Sequence, residues 1–272
     1  MREYLERVRE TSPLIHNITN YVTVNDCANI LLACGGSPIM ADDPEEAEEI
    51  TSICGGLNIN IGTLNQHTIS AMVLAGRKAN LCGHPVLLDP VGAGASSLRT
   101  ETARKLLEEV DFAVIRGNIS EIKALAGEGS AARGVDADAV DAVTEENLEQ
   151  AAELVRAFAA DIHTVTAVSG AIDLVTDGEK TYIIRNGCPI MSRITGSGCM
   201  LSAMTAAYIT ANPNHVLEAA AAAFCAMGLA GEIAEKRMKP EDGNSSFRNY
   251  LIDAVYHLQG ETLEKGARYE VR

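Results

Sequence analysis

Basic residues are scarce in this sequence: 22 Lys and Arg stand against 37 Asp and Glu, a formal net charge of −15 over 272 residues with histidine neutral. A duplex-binding protein concentrates Lys and Arg to displace phosphate counterions, so nucleic acid is excluded as a partner. A small anion is not excluded, because a few amides, one arginine and a metal ion make a local field that the net charge does not describe. No uninterrupted apolar run approaches the ~18 residues of a spanning helix, so no membrane partner is expected. The alanine-rich stretch 219–226 is short and interrupted by Cys225. The opening MREYLERVRE places charges where a secretory signal needs an apolar stretch. Seven cysteines without any CxxC pair fit reduced thiols rather than a disulfide or zinc framework. A cytoplasmic location is the expectation.

Apolar residues make up 47% of the chain, ample for a continuous core. Short β-type runs at 57–61, 86–88, 112–115 and 164–168 alternate with helical patterns at 67–79, 97–109, 121–125 and 145–160. This alternation marks strands and crossover helices of a mostly parallel sheet, an α/β fold. The runs 172–176 and 181–184 flank a Gly-containing turn and read as an antiparallel hairpin at one edge. Helices are expected at 199–210, 216–237 and 247–263, and a small, acidic loop at 127–147. Asp43, Pro44 and Glu46 read as cap, first helical residue and capping-box partner. The late helices have no strand set of their own to cover, so 1–272 reads as one domain.

Ligands of open α/β sheets bind outside the carboxyl ends of the strands, and four loops there contain suggestive residues. Asp89-Pro90-Val91-Gly92-Ala93-Gly94 follows one strand; its glycines allow close backbone approach and Asp89 suits a cation or hydroxyl, although a plain capped turn reads the same way. The dinucleotide fingerprint fits poorly, since Ser97 holds its third glycine position. In the second loop, Arg116 at a strand end suits phosphate. There Asn118 and Glu121 form either an ordinary capping box or a cap with a carboxylate for hydrated magnesium. Ser169-Gly170 ends the next strand. Thr195-Gly196-Ser197-Gly198-Cys199 is the strongest of the four, because small residues leave backbone N–H groups unobstructed at a helix start, where the dipole favours negative charge. The same dipole would lower the Cys199 thiol, although a cysteine there also fits plain packing. None of the six histidines has a local signature pairing it with Cys199, and no GxxxxGK[ST], HExxH, HRD or DFG element is present.

Taken together and in this order, the acidic Gly loop, the Asn-x-x-Glu element and the GxG helix start resemble the ribokinase-like superfamily. The resemblance is closest to its hydroxyethylthiazole kinase family, and it rests on PLIHNITNYVTVN at 13–25, GGSPIMA at 35–41, LDPVGAG at 88–94 and ITGSGCM at 194–200. It runs from about residue 10 to the carboxyl-terminal helices, and Cys199 is diagnostic, since most superfamily members place Asp there. The resemblance implies a three-layer ribokinase-like fold and ATP-dependent phosphorylation of a thiazole alcohol. It implies Cys199 and Gly198 as catalytic, and Met40, Gly196 and Asn25 as substrate contacts. It further implies Arg116, Ser169 and Asn118 at ATP, Asp89 and Glu121 at magnesium, and a homotrimer with sites between subunits. The residues alone leave two other classes open: a Cys-dependent hydrolase, which would trap an acyl-cysteine without ATP, and a nucleotide-binding module without turnover.

Overall fold

Residues 1–127 and 143–272 are described by the computed structural model, so most of the acidic loop expected at 127–147 lies outside the described residues. Strands β1 (Leu14–Ile18), β2 (Ser37–Met40), β3 (Gly56–Asn60), β4 (Val86–Asp89), β5 (Val114–Gly117) and β6 (Val165–Val168) run parallel, most of them linked by crossover helices. The expected hairpin is β7 (Asp173–Thr176) and β8 (Thr181–Ile184), to which β9 (Tyr269–Val271) adds a third antiparallel edge strand. The spatial order is β2-β1-β3-β4-β5-β6-β7-β8-β9. The direction of winding reverses between β1 and β3, which opens a crevice at the carboxyl ends of those strands.

Two cores separated by the sheet make the three layers. One lies under α1 (Arg2–Thr11), α2 (Val24–Cys34), α8 (Ser197–Ala211), α9 (Val216–Arg237), α10 (Asn244–His257) and α11 (Gly260–Gly266). The other lies under α3 (Ala47–Ile53), α4 (Gln66–Cys82), α5 (Ser97–Glu109), α6 (Ile119–Ala126) and α7 (Leu148–Ile162). Strands covered on both sides are buried on both faces, and β3 through β8 are buried at every position, their polar residues included. Helix α9 is long and apolar enough to cross a membrane, but 78% of its most apolar window is buried in the protein, as befits a core helix.

The structure departs from the sequence expectation in several places, each for a local reason. Periodicity finds no strand at 14–18, because His16 and Asn17 interrupt the apolar run; both are buried. The imidazole bridges Thr51 Oγ1 and the Ala41 carbonyl at 2.9 Å each. Strand β2 begins Ser-Pro, which a sheet edge tolerates. Asp43 does not start the helix: its carboxylate accepts from the Glu45 amide at 2.8 Å in a turn, and α3 begins only at Ala47, with Glu46 at the cap position making no side-chain capping bond. The helix expected at 247–263 is two helices, divided where Leu258 and Gln259 turn extended.

Two glycines of α9 meet different neighbours. A Cβ at Gly228 would lie 2.7 Å from the backbone carbon of Asn186, whereas one at Gly231 would meet the flexible Met191 side chain, its sulfur at 2.5 Å. Gly228→Ala is therefore expected to destabilise by about 1–3 kcal/mol and Gly231→Ala by less, read from chemical denaturation midpoints.

Candidate functional site

Side chains alternate across each strand, and on the face covered by α8 and α9 the carboxyl-terminal positions are polar. Asn17, Asn58, Asn60, Asp89, Arg116 and Asp173 occupy this face, all less than a tenth exposed. Register places Asn17 beside Asn58 and Asn60 beside Asp89, with Arg116 on the next strand. Buried polar groups have to satisfy one another, and here most do.

Helix α8 closes the row. Its cap, Gly196, has φ +85°, and a Cβ there would fall 2.4 Å from Thr23 Cγ2, so the turn requires glycine on both counts. A Cβ at Gly198 would lie 2.7 Å from Arg116 Nη1, so the bare first turn of α8 rests on the guanidinium. Cys199 Sγ accepts from Asn20 Nδ2 and Asn60 Nδ2, each at 3.3 Å. Burial pushes this thiol up and the Asp89 charge adds to the effect, against hydrogen bonds from Thr23, Asn20 and Asn60. The lowering expected from the helix dipole does not prevail, because the thiol is largely withdrawn from water.

Asp89 is fully buried. Its Oδ2 accepts from Ser202 Oγ at 2.7 Å and Asn60 Nδ2 at 2.8 Å, with Arg116 Nη1 at 3.7 Å, while Oδ1 has no partner. Burial pushes its carboxyl up to about 6, Arg116 opposing and Glu121 reinforcing. Arg116 Nη2 donates to Ser169 Oγ, and its Nε is buried without a partner. Glu121 accepts the Gly92 and Asn118 amides at 2.8 Å each, and Asn118 Oδ1 returns a bond from the Glu121 amide at 2.9 Å. The capping-box reading therefore holds, and Glu121 also ties the Asp89 loop to α6.

The structure thus brings Gly196, Gly198, Cys199, Asp89, Arg116 and Ser169 together, with Asn118 and Glu121 beside them through Gly92. Met40 ends β2 at the same sheet edge, half-buried. Asn25 is exposed in the first turn of α2, its Oδ1 accepting from Asn29 one turn along at 3.1 Å. Neither side chain hydrogen-bonds the group among the described residues. Sequence reasoning assigned no role to Asn20, Asn60, Ser202 or Asp173, although two asparagines spaced by two inside the apolar run Leu57–Ile61 were a signal. No histidine is bonded to Cys199 among the described residues, which removes the partner a thiol hydrolase needs. Cavities of about 470 Å³ beside Arg104, Leu107 and Leu125 and about 160 Å³ beside Arg237, Tyr250 and Leu258 share no lining residue with the group.

A family model described as the Hydroxyethylthiazole kinase family matches residues 5–261. Hydroxyethylthiazole kinase of Clostridium acetobutylicum is 61% identical over 270 residues, covering 99% of both chains. The solved hydroxyethylthiazole kinase protein from Pyrococcus horikoshii OT3 superposes with a TM-score of 0.87 at 39% identity, over 99% of this chain and 98% of that one. Pyridoxal kinase from Staphylococcus aureus, solved with AMP-PCP and pyridoxal, has a TM-score of 0.60 at 15% identity over 96% and 98% of the two chains, a likeness of fold.

Asp173 carries a pH signature. Its Oδ1 accepts the Gly170 amide at 2.8 Å, and burial pushes its carboxyl up to about 7, with that bond and Arg116 opposing. A folded-state value above the unfolded one means that the neutral form stabilises below about pH 4 and that this contribution is lost as pH rises to about 7. Asp173→Asn keeps the acceptor without the charge. It is expected to melt higher than the wild type at pH 8, with the difference closing toward pH 4 in thermal scans.

Proposed function

The chain belongs to the hydroxyethylthiazole kinase family, and we propose from that premise that its strand-end site transfers the γ-phosphoryl group of ATP to the primary alcohol of 4-methyl-5-(2-hydroxyethyl)thiazole, a step of thiamine biosynthesis and salvage. The observation that carries this reading is the glycine-bared first turn of α8 set against Arg116, with Cys199 and Asp89 beside it.

Phosphoryl transfer needs alignment and charge neutralisation more than covalent chemistry. Arg116 and the amides of 197–199 receive phosphate charge, Ser169 steadies the guanidinium and contacts ATP, and Asn118 borders the same loop. Gly196 and Met40 contact the thiazole. Magnesium fits the acidic pair: Asp89 Oδ1 is a buried acceptor without a partner, and Glu121 lies close enough to raise Asp89. Asp89 and Glu121 would hold the ion, with water and substrate oxygens completing its shell, as is usual for magnesium. Bound there, it would supply positive charge to the phosphates. Cys199 faces the alcohol, and as a raised thiol it is a weak proton acceptor, so catalysis leans on positioning.

Exposed Tyr21, Val22 and Val24, at 79%, 56% and 36%, flank Asn25 and supply an apolar face for a second copy. This supports self-association, which we read as a homotrimer in which Met40 and Asn25 serve a neighbour's ligand. We read the described residues as one kinase domain of a cytoplasmic enzyme.

Incubation with ATP, magnesium and a panel of thiazole, pyrimidine and sugar alcohols is expected to give the thiazole phosphate, identified by mass; turnover of another member alone would overturn the assignment. A general base is worth ~10²–10⁴ in rate, so Cys199→Ala is expected to slow turnover while leaving a measurable rate, and Cys199→Asp to retain or improve it. Gly198→Ala forces the guanidinium aside and is expected to cost about 10²-fold in kcat/KM for ATP, with normal activity counting against the phosphate cradle.

A further inference from the structure

The two asparagines that hold Cys199 have no hydrogen-bonding capacity to spare. Asn60 Nδ2 donates to Cys199 Sγ at 3.3 Å and Asp89 Oδ2 at 2.8 Å, while its Oδ1 accepts from Asn20 Nδ2 at 3.0 Å and the Gly62 amide at 2.9 Å. Asn20 Nδ2 donates to Cys199 Sγ at 3.3 Å and to Asn60 Oδ1, and its Oδ1 accepts from Thr23 N at 3.1 Å and Thr23 Oγ1 at 3.0 Å. An amide offers two donors and two acceptor sites, so both side chains are saturated and their orientations are fixed. Both are almost wholly buried, so turning away would cost each its partners without water to replace them.

This cradle offers position 199 two N–H donors. A thiol sulfur is a weak acceptor and gains little from them, whereas a carboxylate accepts two and keeps lone pairs free for a proton. We propose that Asn20 and Asn60 are positioning residues that present the atom at position 199 to the acceptor alcohol, and that they form a donor pair matched to a carboxylate as well as to the native sulfur. The inference rests on the reading of Cys199 as the group beside the alcohol. Asn20 isolates the effect, because it does not touch Asp89.

The test is Asn20→Ala in three backgrounds: wild type, Cys199→Asp and Cys199→Ala. One lost weak hydrogen bond to sulfur predicts a kcat decrease of about two- to fivefold in the wild type. A lost charge-assisted bond predicts about 10- to 100-fold in Cys199→Asp, and in Cys199→Ala no further loss is expected. The KM for ATP stays constant throughout. A purely structural asparagine would cost the same in all three backgrounds, and that result would overturn the proposal. Should Asn20→Ala fail to fold, Asn20→Leu removes the donors at nearly the same volume and adds no charge, and the same ordering is expected of it. If Cys199→Ala alone leaves kcat unchanged, the reading of Cys199 fails and this inference with it. If Cys199→Ala is slow but Asn20→Ala is normal, only the cradle is overturned.

Discussion

One carboxylate, Asp89, sits wholly out of water at the end of β4, and the arrangement of the site follows from keeping it there. Burying a charge is costly unless it is paired and hydrogen-bonded. Ser202 and Asn60 satisfy one oxygen and Arg116 supplies the opposing charge. Ser202 can reach it only if α8 lies across the strand ends, and Cys199, three residues earlier on the same helix face, is then delivered beside Asn60. The short bare turn at 196–198 is the price of laying that helix directly on the guanidinium.

What the sequence made legible was whatever needs a special residue. The glycines at 196 and 198, the Asp89 loop, Arg116 and the Asn118–Glu121 pair all stand at turns, where residue type and backbone demand coincide. Strands β3 to β8 were readable because burial on both faces makes them apolar or β-branched. The cradle was not readable. Asn60 looks like a flaw in an apolar strand until Asp89 and Cys199 are placed beside it, and those contacts depend on a register that only the folded sheet sets. The direction of the Cys199 shift was likewise hidden, since a helix start argues for lowering and only the packed structure reveals how strongly burial opposes it.

The acidic excess takes on a different meaning once the residues are located. Many of the ion pairs lie at the surface, such as Arg237–Asp253 and Lys265–Glu261, where solvent leaves each worth little. Inside, the balance is local: one arginine against Asp89, with Asp173 and Glu121 nearby. Pyridoxal kinase has the same architecture at 15% identity, so the layers are common ground and the chemistry lies in what each chain sets at the strand ends.

The bond from Asn20 to Cys199 spans 179 positions of sequence. Asn60 to Cys199 spans 139 and Ser202 to Asp89 spans 113. Residues 20–116 already contain the Asn20–Asn60 and Asn60–Asp89 pairs, but Cys199 and Ser202 join them only by closing long loops, whose entropy has to be met before those contacts reward it. The polar row is complete only when β1, β3, β4 and α8 have all docked. Before α8 arrives, Asn60 lacks its partner at Cys199 and Asp89 its partner at Ser202, so a sheet without that helix leaves buried polar groups short of partners.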